Sequence, residues 1–387
     1  MKRLLYTLTG CICLILNGCI TEYEAKGIDE EKDILVVEGI ITEGETLITL
    51  SRSVNLTDDN PASIAYINDA LVFVECDDGT RIQADESDPV TGFRTGGRYL
   101  IQTGQLNTGR KYRLKIEVVE DDCLEGMTDC TKKNFEYYSD YLSPILTPEI
   151  DSVFWTKKDK GQPVNIHVAT HSPDSQVLYY RWSYREDWEI NSDLLSFPDY
   201  TYPYYCWNGT DSRGLLIGSA EKTVFGRLTD IIAVHDPTDK RLEVLYRIDV
   251  KQNAISKRAY DYFTNIKKNA SQTGSIFAPI LSELRGNITC TTEPSKPVIG
   301  YIDVSTTTQS RRYIARSDGA YEFARRPWDC EVVPYDTLLV QFEGYVPVFY
   351  VPYHLEIDGT LYYTLTQCID CTYFGTVNKP EVWPNDH

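Results

Sequence analysis

From Asp33 onward, apolar and polar residues alternate with a period of two, in short runs separated by turn residues. Ile34-Leu35-Val36-Val37-Glu38-Gly39-Ile40 and Thr46-Leu47-Ile48-Thr49-Leu50 read as strands either side of Glu43-Gly44-Glu45. Ala70-Leu71-Val72-Phe73-Val74-Glu75 runs into the turn Asp77-Asp78-Gly79, and Gly97-Arg98-Tyr99-Leu100-Ile101 follows. After Asn107-Thr108-Gly109, the residues Tyr112, Leu114, Ile116 and Val118 fall on one face, as a half-buried strand requires. Short strands at this spacing predict an N-terminal β-sandwich over about residues 30–122.

Pro144 and Pro148 bracket a short extended piece and mark a boundary, because proline disfavours continuation of either regular element. A second β-rich domain is expected over about residues 145–387. Its opening runs are Ile150-Asp151-Ser152-Val153-Phe154-Trp155, Val164-Asn165-Ile166-His167-Val168 and Leu178-Tyr179-Tyr180-Arg181-Trp182-Ser183-Tyr184. They suggest an immunoglobulin- or fibronectin-like core. Residues 186–215 read as a long aromatic loop. One helix is predicted at about 254–270, since Ile255, Ala259, Tyr262, Phe263 and Ile266 share one side. Asn253 is the expected cap. Further strands are expected at Val298–Val304, Arg312–Ala315 and Leu361–Leu365. The fold class is mostly β: tandem sandwiches with one amphipathic helix in the C-terminal half.

The first residues break this pattern. Lys2 and Arg3 precede an apolar run from Leu4 to Leu16, and Leu16-Asn17-Gly18-Cys19 closes it. This is a lipoprotein signal peptide over 1–18, too short to span a bilayer. Cys19 is the expected lipidation site, carrying palmitate-type chains, with 19–32 as a polar tether. Two or three acyl chains anchor firmly, at about 0.8 kcal/mol per buried methylene. The expected location is a membrane surface, with Glu22 and Glu24 just after Cys19 favouring the cell-surface face over the periplasmic one.

Charge narrows the partners. The net charge of −19 and mean hydropathy of −0.33 describe a solvated acidic body. Nucleic acid is disfavoured, because the phosphate-neutralising cations are missing. Of 11 cysteines, Cys11 and Cys13 leave with the leader. The remaining eight beyond Cys19 suit disulfides in an exported chain, with 105 possible pairings. Cys123 with Cys130 is the expected local pair. Cys368-Ile369-Asp370-Cys371 reads as a tight disulfide, a redox pair or half a metal site. The disulfide is favoured, because no second CxxC completes a zinc site.

Two aromatic clusters stand out. Tyr179, Tyr180, Trp182, Tyr184 and Trp188 lie on strand-like sequence and are expected in the core. Tyr200, Tyr202, Tyr204, Tyr205 and Trp207 are interrupted by prolines and are the candidate binding residues, as exposed rings stack on sugars or anchor a partner. Catalytic residues are not assigned. His167 and His171 lack a helical HExxH context. His235-Asp236 reads as a turn, and Ser219-Ala220-Glu221-Lys222 lacks the companion motifs of serine–lysine enzymes. No metal or cofactor is expected.

Four segments together carry a family likeness. They are Val36-Val37-Glu38-Gly39-Ile40-Ile41-Thr42; Ile150-Asp151-Ser152-Val153 with Tyr179-Tyr180-Arg181-Trp182 and Glu186-Asp187-Trp188; Leu284-Arg285-Gly286-Asn287-Ile288 with Val298-Ile299-Gly300-Tyr301; and the Cys368–Cys371 tail with Gly375 and Lys379-Pro380-Glu381-Val382-Trp383. In this order the chain resembles the Bacteroidota lipoproteins catalogued as domain of unknown function 4249. The resemblance implies an outer-membrane lipoprotein working beside a TonB-dependent transporter, without established catalytic residues. Three function classes follow. The leading one is a non-enzymatic accessory or ligand-presenting partner of the transporter. The second is a surface glycan-binding protein, requiring coplanar exposed rings. The third, a hydrolase, requires a pocket of converging titratable groups.

Overall fold

The alternation is realised as 21 strands among the described residues. The structure is a computed structural model, describing residues 34–53, 65–85, 96–122, 131–173, 176–195, 202–271, 286–323, 330, 332–334, 344–348 and 362–384. The leader, Cys19, Tyr200 and the expected Cys123–Cys130 pair lie outside these residues.

The first unit contains β1 (Leu35–Gly39), β2 (Gly44–Arg52), β3 (Ala65–Tyr66), β4 (Leu71–Cys76), β5 (Arg81–Gln83), β6 (Arg98–Gly104), β7 (Tyr112–Asp122) and β8 (Thr131–Ser139). The second contains β9 (Ile150–Lys157), β10 (Val164–His171), β11 (Tyr179–Asn191), β12 (Tyr205–Asp211), β13 (Leu216–Ser219), β14 (Arg227–His235) and β15 (Leu245–Ala254). Helix α1 (Lys257–Ser271) follows, then β16 (Ile288–Cys290), β17 (Val298–Gly300) and β18 (Thr307–Ala315). A small antiparallel sheet is built from β19 (Val333–Pro334), β20 (Tyr345–Val348) and β21 (Tyr362–Leu365).

The first sandwich packs the β17-β1-β2-β3 sheet, with β6 also on β2, against β16-β8-β7-β4-β5. Leu35, Val37, Ile48 and Leu50 from one sheet meet Val72, Leu114, Ile116 and Tyr137 from the other, all buried. Period two explains the choice, because the intervening Glu38, Leu47 and Glu117 face outward.

This sandwich is larger than the predicted 30–122 unit. It takes β8 beyond residue 122 and recruits β16 and β17 from beyond residue 286. β17 lies parallel to β1, with Leu35 opposite Val298 and Val37 opposite Gly300. Parallel neighbours need a long crossover, and here β9 to β15 of the second sandwich lie within it, with β18 following β17. Asn287 locks the return: its buried amide donates to the Ile302 carbonyl at 2.8 Å and accepts the Ile302 N–H at 2.9 Å. Gly286 is required there, since a Cβ would lie 1.5 Å from the Gly300 carbonyl oxygen.

The second sandwich packs β14-β10-β9 against β12-β11-β15-β18, with β13 also on β11. β10 alternates buried and half-buried along its length. Its Val164, Ile166 and Val168 meet Tyr180, Trp182, Tyr246 and Ile248. The outgoing and returning chains are stitched together, Ile145 bridging Ser305 and Ile41 bridging Val304. Helix α1 plugs the junction. Its Ala259, Tyr262 and Phe263 bury against Tyr179 and Tyr301, each large apolar side chain contributing about 1.5–3 kcal/mol. The cap is not Asn253, which belongs to β15 and donates to Thr307 at 2.7 Å. Ser256 caps instead, its hydroxyl accepting the Ala259 N–H at 3.1 Å. No helix among the described residues is long and apolar enough to cross a membrane.

Candidate functional site

The strand β11 has two working faces. Tyr180, Trp182, Tyr184 and Trp188 pack into the second core, as expected, and Glu186 lies on the same face, whereas Tyr179 of the first aromatic cluster packs against α1 instead. Arg181, Ser183, Arg185, Asp187 and Glu189 alternate with them on the opposite, polar face. Lys251 and Asn253 of β15 and Thr307 and Gln309 of β18 extend that face, because their registers match.

The polar face divides into a covered end and an open middle. At the covered end Asp187 and Arg247 form a buried ion pair at 2.6 Å. Arg185 reaches Asp187 at 3.0 Å, and Arg247 also approaches Asp249 at 3.2 Å. The C-terminal tail roofs this end. Arg247 donates to the Glu381 carbonyl at 2.7 Å, Tyr313 to the Val382 carbonyl at 2.8 Å, and the Trp383 indole to Glu189 at 3.2 Å. The charges here are mutually satisfied, so the arrangement is architectural.

Two disulfides hold the tail. Cys206 on β12 bonds Cys371, and Cys330 bonds Cys368. The expected Cys368–Cys371 bond is therefore not formed. The two cysteines sit on successive 3-10 turns, Thr366–Cys368 and Cys371–Tyr373, and these present their thiols to different elements. Cys76 and Cys290 are buried and free.

The second aromatic cluster is only partly a surface. Tyr205 and Trp207 belong to β12, paired with β11 from Asn191–Tyr205 to Arg185–Asp211, and not to a loop. Tyr202, Tyr204 and Trp207 are half-buried. Tyr205 is 57% exposed, but it meets Tyr204 edge-on, ring planes at 82°. The pair offers no flat platform for a sugar. Trp207 lies beneath the tail, bridged to Thr376. A Cβ on Gly375 would sit 2.6 Å from the Trp207 carbonyl oxygen, so the tail fits only there.

The open middle faces the outer surface of the first sandwich across a cleft. Glu38 of β1, Glu45, Leu47 and Thr49 of β2, and Thr42 and Glu43 between them form the opposing wall. One end is tied shut, the Thr42 and Thr307 hydroxyls lying 2.6 Å apart. A chamber of about 650 Å³ lies beside this tie. A second of about 320 Å³ runs towards α1, walled by Leu215, Tyr262, Phe263 and Ile266. Both volumes fall in the roughly 300–1,000 Å³ range of small-ligand sites.

Arg181 stands at the boundary of the two chambers and lines both. It is half-buried, with its guanidinium 5.2 Å above the Phe263 ring centre. Burial pulls its pKa below the ordinary arginine value, and only the charge of Glu38 opposes this. Among the described residues it makes no hydrogen bond and no ion pair. A desolvated cation without an anion is costly, in contrast to Arg247 on the same face, which is ion-paired with Asp187. Arg181 is a half-buried cation of the cleft with no hydrogen bond or ion pair among the described residues, and it is absent from the candidate site residues read from the sequence. The available signal was the charged–aromatic alternation of β11, which marks a strand with two functional faces.

Titratable groups elsewhere are engaged structurally. His235 pairs with buried Glu186 at 2.7 Å, which also accepts from Tyr246 at 2.6 Å and from Arg241 at 3.0 Å. Asp236 instead closes a turn through Thr238. His171 meets Asp151 at 2.7 Å, and His167 meets Thr156 at 2.8 Å. The Ser219 hydroxyl accepts the Glu221 N–H at 3.2 Å, in a turn. Among the described residues no three His, Cys, Asp or Glu side chains converge as a metal site.

The comparison with curated proteins found no match. A family model described as domain of unknown function, DUF4249, matches residues 20–311, about three-quarters of the chain. By that match, spanning the first sandwich, the cleft and most of the second sandwich, the chain belongs to the DUF4249 family.

Proposed function

We propose that this protein is a lipid-anchored outer-membrane lipoprotein of the Bacteroidota type that captures a ligand between its two sandwiches and presents it to a TonB-dependent transporter. The observation that carries the binding reading is Arg181, a guanidinium without a hydrogen bond or ion pair among the described residues, in a two-chambered cleft. A positioned cation with no partner is completed by an anionic group of a ligand. The rigid walls suit capture. The junction is stitched by Ile41–Val304 and Ile145–Ser305, so the cleft is largely preformed, and preformed sites lose little entropy on binding. The lipobox at Cys19 supports the anchor, and membership of the family supports the transporter as partner.

The test is affinity purification of the lipidated protein from its native outer membrane, with mass spectrometry of what accompanies it. A stoichiometric TonB-dependent transporter is the expected result. Recovery of the lipoprotein alone, with no transporter above background, contradicts a stable presenting complex.

A further inference from the structure

We propose that the cleft takes a short peptide by its free C-terminal carboxylate, with an apolar terminal side chain and a cationic group further along. The proposal rests on the binding reading above and gives it a ligand class. Three features of the cleft select this chemistry together.

The first is Arg181 itself. A guanidinium meets a carboxylate through two parallel N–H···O bonds, so a terminal carboxylate fits it better than a neutral group does. The guanidinium already lies over the Phe263 ring, and its N–H edges form no hydrogen bond among the described residues, which leaves them to the ligand.

The second is the smaller chamber. Leu215, Tyr262, Phe263 and Ile266 line it together with Arg181 and Arg213, and Phe263 lies against the Arg181 guanidinium. A carboxylate on the guanidinium therefore places the adjoining side chain in an apolar slot.

The third is the sign of the opposing wall. Glu38, Glu43 and Glu45 outnumber Arg181 and Lys251 along the larger chamber, on a body of net charge −19. This field repels a polyanion such as a uronic-acid glycan and draws a ligand that carries a cation beyond its carboxylate. Ser183 and Gln309 line the larger chamber from the second sandwich, where they can bond peptide amides.

The experiment is isothermal titration of the full lipoprotein in detergent micelles. The probes are the tetrapeptide lysyl-alanyl-alanyl-leucine, its C-terminal amide, and tetragalacturonate. The free acid is expected to bind one to one and the amide at least tenfold more weakly. Arg181→Ala removes the difference between acid and amide. Ser183→Trp, which fills the cleft from an exposed position, abolishes binding. Glu43→Gln with Glu45→Gln weakens the peptide severalfold at low salt, and the loss shrinks as salt screens the wall. Equal binding of acid and amide, or no binding of either, overturns the peptide proposal. Arg181-dependent binding of tetragalacturonate instead overturns the peptide class and leaves the cleft reading standing. Binding of every probe that ignores both Arg181→Ala and Ser183→Trp overturns the two together.

Discussion

Asp187 and Arg247 are direct cross-strand neighbours on β11 and β15, and their buried side chains meet at 2.6 Å under the C-terminal tail. Removing one partner leaves the other charge buried and alone. Asp187→Ala is therefore expected to destabilise the fold by about 3–5 kcal/mol. Asp187→Leu combined with Arg247→Met recovers most of that loss, because it is the unpaired charge that is costly. Urea unfolding of the three proteins checks both statements.

The tail is fastened where β12 carries Cys206. The Cys206–Cys371 bond closes a separation of 165 residues, and long closed loops restrict the unfolded chain most. Cys206→Ser with Cys371→Ser is expected to cost about 2–5 kcal/mol and to expose the 371–384 segment to limited proteolysis. Tail release also uncovers the Asp187–Arg247 pair, so the two losses are less than additive. A double-mutant cycle measures the coupling.

Glu186 and Asp303 respond to acid in opposite senses. Burial pushes both carboxyls up. At Glu186 this is outweighed by His235, Tyr246 and Arg241, and the pKa is held below the usual glutamate value. At Asp303 burial prevails over the hydrogen bonds from Ser256, and the pKa is raised. Glu186 thus stabilises the fold above its unfolded pKa, and this is lost as pH falls through its lowered value. Asp303 weakens the fold as pH rises from its unfolded value to its raised one. Asp303→Asn keeps an acceptor for the Ser256 N–H. It is expected to raise Tm near neutral pH and to leave it unchanged below the ordinary aspartate pKa of about 3.9. Thermal melts across pH read the crossover.

Gly286 passes against Gly300 with no room for a side chain. Gly286→Ala must displace the β17 backbone, which is paired with β1. The expected cost is at the upper end of the roughly 1–3 kcal/mol typical of overpacking. An equal substitution at exposed Gly161, where nothing lies within 4 Å but φ is +75°, carries only the milder backbone penalty. Comparing the two in urea separates packing from backbone strain.

Strands such as β2, β7, β10 and β11 were legible in the sequence because period-two burial is a local property. The aromatic Tyr180 and Trp182 were legible as core for the same reason. β16 and β17 were not legible as parts of the first sandwich. Each has three residues, too few for a periodic signal, and their partners lie far away along the chain. The cysteine pairing was hidden because Cys368 and Cys371 serve two different elements. Arg181 was hidden for a different reason. Its neighbours in sequence say that it lies on a strand, but its significance is its place in a cleft that only the assembled sandwiches create, with no ion pair there among the described residues. The loop reading of Tyr205 and Trp207 followed Pro203 into irregular structure, whereas the chain turns back into β12 two residues later.

The central claim is that the cleft around Arg181 holds the ligand this protein carries. Native mass spectrometry of the lipoprotein, gently extracted from its own outer membrane, tests it most directly. A bound small mass is expected on the wild-type protein and is expected to vanish in Arg181→Ala and Ser183→Trp, both still folded by thermal melt. The same mass retained in both variants would place the ligand elsewhere and contradict the account.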